Sequence, residues 1–155
     1  MTIKKGIGKF LKYGTLVSSF CFIAVTMAQV YARFFMESAP SWTEEAARFF
    51  FIYAMSFAAG LAMKGNYYVK FDVVYNKLNT KQKLVLNFIV SLLSILLFLI
   101  LTYYALQFVN VGISERSPSV GFSMAIAFGS IVIMGVFITM YAIWDFIKHL
   151  KKLKQ

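Results

Sequence analysis

Residues Ala39–Gly60 read APSWTEEAARFFFIYAMSFAAG, and this stretch decides the fold because it joins two opposed chemistries. Glu44 and Glu45 stand side by side, Arg48 follows within one helical turn, and from Phe49 to Met63 no residue carries a charge. Ser41 followed three positions later by Glu44 fits a capping box, in which each side chain satisfies the other's exposed backbone N–H. Both carboxylates also lie at the positive end of the helix dipole. Arg48 is four residues from Glu44 and three from Glu45, so one face can neutralise all three groups. Trp42 suits a membrane interface as an aromatic anchor. A capped, charged start feeding an uncharged run reads as a helix entering lipid. One carboxylate is enough for the cap, so the second calls for another role.

The rest of the chain agrees. Of 155 residues, 60% are hydrophobic and 14% charged, whereas soluble domains average about 45–50% apolar and about 25% charged. No residue is ionised from Tyr13 to Ala32, from Leu84 to Ser114, or from Ser117 to Trp144. A helix rises about 1.5 Å per residue, so about 20 apolar residues cross a hydrocarbon core of about 30 Å. The sequence therefore predicts an all-α integral membrane protein, a single membrane domain over 1–155. Its four transmembrane helices run over roughly 13–35, 43–63, 84–108 and 121–146. The first run is too long for the apolar part of a cleaved signal peptide, and no small-residue cleavage site follows it.

Charge gives the orientation. Thirteen of the 16 Lys and Arg fall in the N-terminal segment, the middle loop and the C-terminal tail. The opposite side holds Arg33, Arg48 and Arg116 beside Glu37, Glu44, Glu45 and Glu115. By the positive-inside rule both termini are cytoplasmic. The net charge of +10 is then a set of topology signals touching anionic lipid headgroups, and nucleic acid is not an expected partner.

Within the helices, small residues recur at the spacing that lets backbones approach closely. Ala54, Ala58 and Ala62 form one stripe of the second helix, Ser56 and Gly60 another, and Gly121, Ala125 and Gly129 a third in the fourth helix. Lipid offers no hydrophobic drive for association, so such stripes mark packing faces, against this chain or a partner. Arg33, one turn before the end of the first helix, either snorkels to the headgroups or pairs with Glu44, Glu45 or another subunit. Asn87, Ser91 and Ser94 make a polar stripe on the third helix that faces another helix. In the middle loop Tyr67, Tyr68, Phe71, Val74, Tyr75 and Leu78 share one helical face, with Lys70, Asp72, Asn76 and Lys77 elsewhere around it. This predicts a short amphipathic helix over about 67–78, lying in the headgroup plane between the second and third spans.

Chemistry of other kinds is sparse. Cys21 is the single cysteine and lies within the first span, so an internal disulfide is excluded. His149, the single histidine, lies in the basic tail, which excludes haem ligation between spanning helices. Every Asp and Glu lies at or beyond a helix end, with Asp145 the deepest, whereas proton or ion transport usually needs an embedded carboxylate. No HExxH, GxSxG or Walker glycine loop occurs. The residues point to a non-enzymatic membrane subunit with no cofactor of its own. The rival is a self-sufficient four-helix exporter or homo-oligomeric channel.

The stretch from Arg33 to Asp72 resembles the small membrane subunit of tripartite ATP-independent periplasmic (TRAP) transporters, the DctQ-like family. That family has an arginine ending the first helix, a W-x-E-E-x-x-R start to the second, small residues along it, and a G-x-H-I-x-V-D stretch after it. Here Arg33 is followed by Trp42, Glu44, Glu45 and Arg48, then Ala58–Ala59–Gly60, then Gly65 to Asp72. Tyr68 stands where the family's histidine is usual. The resemblance implies a multi-pass protein of the bacterial inner membrane, working as a scaffold beside a large polytopic permease. It implies sodium ions on that large subunit and a periplasmic substrate-binding protein that delivers an organic acid. Dicarboxylates, sialic acids and other sugar or keto acids are the candidates. Arg33, Trp42, Glu44, Glu45 and Arg48 are then expected to brace the outer ends of the first two helices and shape a docking face. The alanine and glycine stripes are expected to meet the large subunit.

Overall fold

The computed structural model describes residues 2–36, 40–65 and 78–153. They form α1 (Thr2–Phe35), α2 (Ser41–Gly65), α3 (Thr80–Ser114) and α4 (Met124–Leu153). Each is long and apolar enough to cross a membrane, the four spans being Lys4–Phe35, Ser41–Gly65, Lys81–Ser114 and Met124–Lys151. The expected interfacial helix falls almost wholly outside the described residues: Tyr67, Tyr68, Phe71, Asp72, Val74 and Tyr75 are not among them. Leu78 lies in a bend just ahead of α3.

The helices outrun the apolar stretches at several ends. α1 begins at Thr2 instead of near residue 13, because Lys4, Lys5, Lys9 and Lys12 end the hydrophobic run without interrupting backbone hydrogen bonding. Lysine is a good helix former. By the same logic α3 begins at Thr80, ahead of Lys81 and Lys83, and α4 reaches Leu153; α3 also continues to Ser114. α4 starts late, at Met124 rather than 121. Gly121 has φ 76, a left-handed conformation that suits glycine and ends helical geometry there. Ser123 takes over the start of α4: its hydroxyl accepts the Ala125 N–H at 3.3 Å and donates to the Gly112 carbonyl at 2.9 Å.

Contacts order the helices as a row, α1–α2–α4–α3, rather than a closed bundle. Neighbours α1 and α2 run antiparallel, as do α3 and α4, while α2 and α4 run parallel. The flanking helices are mostly uncovered. Only 6% of the apolar stretch of α1 and of α3 is buried, against 28% for α2 and 39% for α4. The row therefore has two inner helices and two outer ones that present long apolar faces outward, among them Phe20, Met27 and Phe34 of α1 and Leu93, Leu97 and Tyr103 of α3.

The core lies toward the end where the lysines gather, where the start of α1 crosses the α2–α4 interface. Leu11, Phe57 and Tyr141, one from each helix, form its buried centre. Gly60 makes that crossing possible. A methyl group on it would stand 3.0 Å from the Phe137 Cβ and 3.3 Å from Leu11 Cδ1, closer than side chains ordinarily pack. Phe10 meets Phe57 edge to face at 5.6 Å. At the rim of this core the Lys4 ammonium lies 5.8 Å from the Tyr141 ring centre and 5.5 Å from that of Trp144. Both distances suit a cation–π contact.

Candidate functional site

At the opposite end of the row, α2 meets the loop that joins α3 to α4. That loop, residues 115–123, is folded on itself. The Ser117 N–H donates to the Phe122 carbonyl at 2.9 Å, the Gly121 N–H to the Ser117 carbonyl at 3.0 Å, and the Met124 N–H to the Glu115 carbonyl at 3.0 Å. Arg116 pairs with Ser123 across an isolated antiparallel bridge, and its guanidinium donates to the Gly121 carbonyl at 3.2 Å. Gly121 is thus a loop residue and not the first member of the α4 stripe.

Four residues of α2, Glu45, Phe49, Tyr53 and Phe57, are spaced by four and so share one helix face. All four meet their neighbours along that face. The Glu45 carboxylate accepts the backbone N–H groups of Ser119 at 3.1 Å and Val120 at 3.0 Å, both on the same oxygen. The Ser117 hydroxyl stands beside that carboxylate and also accepts the Val120 N–H at 3.4 Å. One turn on, Phe49 packs edge to face against Phe122 at 5.4 Å. A further turn on, the Tyr53 hydroxyl donates to the Ile126 carbonyl at 2.7 Å. Gly129 lies beneath that tyrosine, with the place of a Cβ 3.8 Å from the hydroxyl. Phe57 then enters the core. The stripe passes from a carboxylate to three aromatic side chains as α2 descends into the membrane span.

The two adjacent carboxylates therefore do different things. Glu44, one residue round the helix from this face, pairs with Arg48 at 3.0 Å, and both side chains are 70% exposed. Arg48 bonds Glu44 directly and acts on Glu45 only as a nearby charge, while Glu45 turns to the loop. The expected capping box at Ser41 and Glu44 is replaced: Ser41 is already helical, and both the N–H and the hydroxyl of Thr43 donate to the Pro40 carbonyl, at 3.2 Å and 2.8 Å. A box-like contact occurs instead at α3, where the Asn79 N–H donates to Gln82 Oε1 at 2.9 Å.

Among the described residues Arg33 forms no ion pair with Glu44 or Glu45, and it is exposed. Trp42 is half exposed. The expected cluster of Arg33, Trp42, Glu44, Glu45 and Arg48 is thus divided between an exposed face and a loop-facing one. Of the small residues, Ala54, Ser56 and Gly60 are buried within this chain, while Ala58, Ala62, Ala125 and Gly129 are partly covered. Ser91 of the polar stripe is buried and returns its hydroxyl to the Asn87 carbonyl at 2.8 Å.

Sequence reasoning found Glu45 without its partners. The spacing of Glu45, Phe49, Tyr53 and Phe57 was readable and would have marked a face. Ser117, Ser119 and Val120 carry no such signal, because two of the three act through backbone N–H groups that any residue except proline supplies.

Such an architecture defines a multi-pass helical membrane protein whose polar specificity is concentrated where helices leave the membrane. The chain belongs to the DctQ component of tripartite ATP-independent periplasmic transporters, whose family model matches residues 22–152. It is also similar to a Haemophilus influenzae protein, provisionally named a TRAP transporter small permease protein. The two are 22% identical over 152 residues, covering 98% of this chain and 92% of the relative. This is a transport protein, and its family membership implies association with other TRAP components. The matched span includes all of α2, the 115–123 loop and nearly all of α4, but leaves out the lysine-bearing start of α1.

Proposed function

We propose that this chain is the fixed transmembrane scaffold of a sodium-coupled TRAP transporter. It lies beside a large permease subunit that moves an organic acid delivered by a periplasmic binding protein. Membership of the DctQ family carries the proposal. The open row of helices supports it: α1 and α3 each offer a long apolar face that can widen the stationary part of a larger assembly. The chain sits in the inner membrane with the lysine-bearing ends of its helices in the cytoplasm, following the positive-inside rule. The loop clamped by Glu45 then faces the periplasm, beside Glu44, Arg48, Arg33 and Trp42, where a binding protein would dock. Substrate and sodium ions are handled by the large subunit, and this chain has no catalytic role.

Co-purification of the chain with the large permease in mild detergent, followed by reconstitution, is the direct test. Sodium-dependent uptake into liposomes should require both chains and the binding protein. Solute flux driven by this chain alone, or full uptake by the permease without it, would overturn the scaffold role.

A further inference from the structure

We propose that the Ser117–Val120 turn is a carboxylate-binding site filled in cis by Glu45, and that this occupancy holds the α1–α2 and α3–α4 hairpins together at the loop end. The grouping of donors supports this. Two successive backbone N–H groups, of Ser119 and Val120, converge on one oxygen of Glu45 at 3.1 and 3.0 Å. The Ser117 hydroxyl stands against the same carboxylate, and Ser117 is only 3% exposed. Consecutive N–H groups pointing into one concavity make an anion nest, whose partial positive charge is a property of the backbone rather than of any basic side chain. Hydrogen bonds to an ionised acceptor are about twice as strong as neutral ones.

The neighbouring charges leave this job to the nest. The Arg48 guanidinium is bonded to Glu44 at 3.0 Å, and that of Arg116 is turned back to the Gly121 carbonyl. No cation therefore bonds Glu45 directly among the described residues. The turn itself is held by bonds that do not involve Glu45, between Ser117 and Phe122 and between Gly121 and Ser117. The donors thus remain grouped when the glutamate is removed, and the vacated nest accepts a small carboxylate in its place. This last property separates a receptor from an ordinary helix-to-loop contact.

The test uses the full chain in its membrane assembly, with Cys21→Ala and spin labels on Trp42→Cys and Val120→Cys. These positions are half exposed and leave the Val120 N–H in place. The distance distribution between the labels should be narrow with Glu45 present and broad in Glu45→Ala. Excess sodium acetate should narrow it again, while sodium chloride at the same concentration should not. Glu45→Gln, which keeps the shape and loses the charge, should be broader than the parent. If Glu45→Ala does not assemble, Glu45→Asp replaces it; its carboxylate is withdrawn by one methylene and should likewise broaden the distribution. An unchanged distribution in Glu45→Ala or Glu45→Asp would overturn the clamp. Broadening that acetate fails to reverse in Glu45→Ala, or a Gln variant as narrow as the parent, would overturn the carboxylate site.

Discussion

The two ends of the α2–α4 interface are held by different forces. At the loop end the contacts are directed: a carboxylate on two N–H groups, a tyrosine hydroxyl on a carbonyl, one aromatic pair edge to face. At the lysine end they are close-packed: Leu11, Phe57 and Tyr141 meet where Gly60 lets the helices approach. Water explains the difference. Near the headgroups a charged acceptor can be kept ionised and partly hydrated, so it can specify a partner. In the buried core at the lysine end, closed to water by the protein itself, shape decides, because lipid competes equally for every apolar side chain.

Substitutions at the two ends should therefore fail in different ways. The largest effect belongs to the packed end. Gly60→Leu forces bulk against Phe137 and Leu11. Overpacking of this kind costs about 1–3 kcal/mol, and thermal unfolding in detergent should show a lowered midpoint. A midpoint equal to the parent's would mean the crossing is looser than the close approach at Gly60 implies. Next comes Tyr53→Phe, which removes the bond to the Ile126 carbonyl but keeps the ring. Hydrogen bonds between membrane helices average about 0.6 kcal/mol and reach about 1.7 kcal/mol, so a small loss in denaturant resistance is expected. A Phe variant more stable than the parent would show that the bond is not what holds α2 to α4 there.

The smallest effect should come from Glu44→Ala. It breaks an exposed ion pair on one helix, a contact worth about 0.3–0.5 kcal/mol. Uptake and assembly should be close to normal, whereas Glu45→Ala should release the loop. Equal behaviour of the two variants, read by protease cutting within residues 115–123, would erase the distinction between the adjacent carboxylates. A sharper form uses salt on the parent protein: raising ionic strength should weaken the exposed Glu44–Arg48 ion pair more than the Glu45 contact, whose partners are uncharged backbone N–H groups.

Much of this was legible in the sequence, and particular residues show where legibility ended. The four spans were plain from the uncharged runs: three cover the hydrocarbon thickness unaided, and the short second one, Phe49–Met63, spans with its polar start near Thr43–Ala47 in the headgroup region. Their ends were not. Lys4 to Lys12 end an apolar run without ending a helix, and Gly121 begins the small-residue spacing of α4 yet stands in a turn. The pairing of Glu44 with Arg48 followed from a spacing of four, a local fact. Which carboxylate would reach the loop did not, because Ser119 and Val120 lie 74 and 75 positions away and donate through the backbone.

By itself the sequence determined the solvent of this protein, the number of crossings and the gathering of the lysines at one end of the helices, because hydropathy and charge act one segment at a time. The tertiary structure alone decided that the helices stand in a row with α2 and α4 inside. It decided too that Glu45 and not Glu44 faces the second hairpin. Adjacent residues on a helix point about 100° apart. Only the placement of the neighbouring hairpin settles which of the two meets a partner and which meets water.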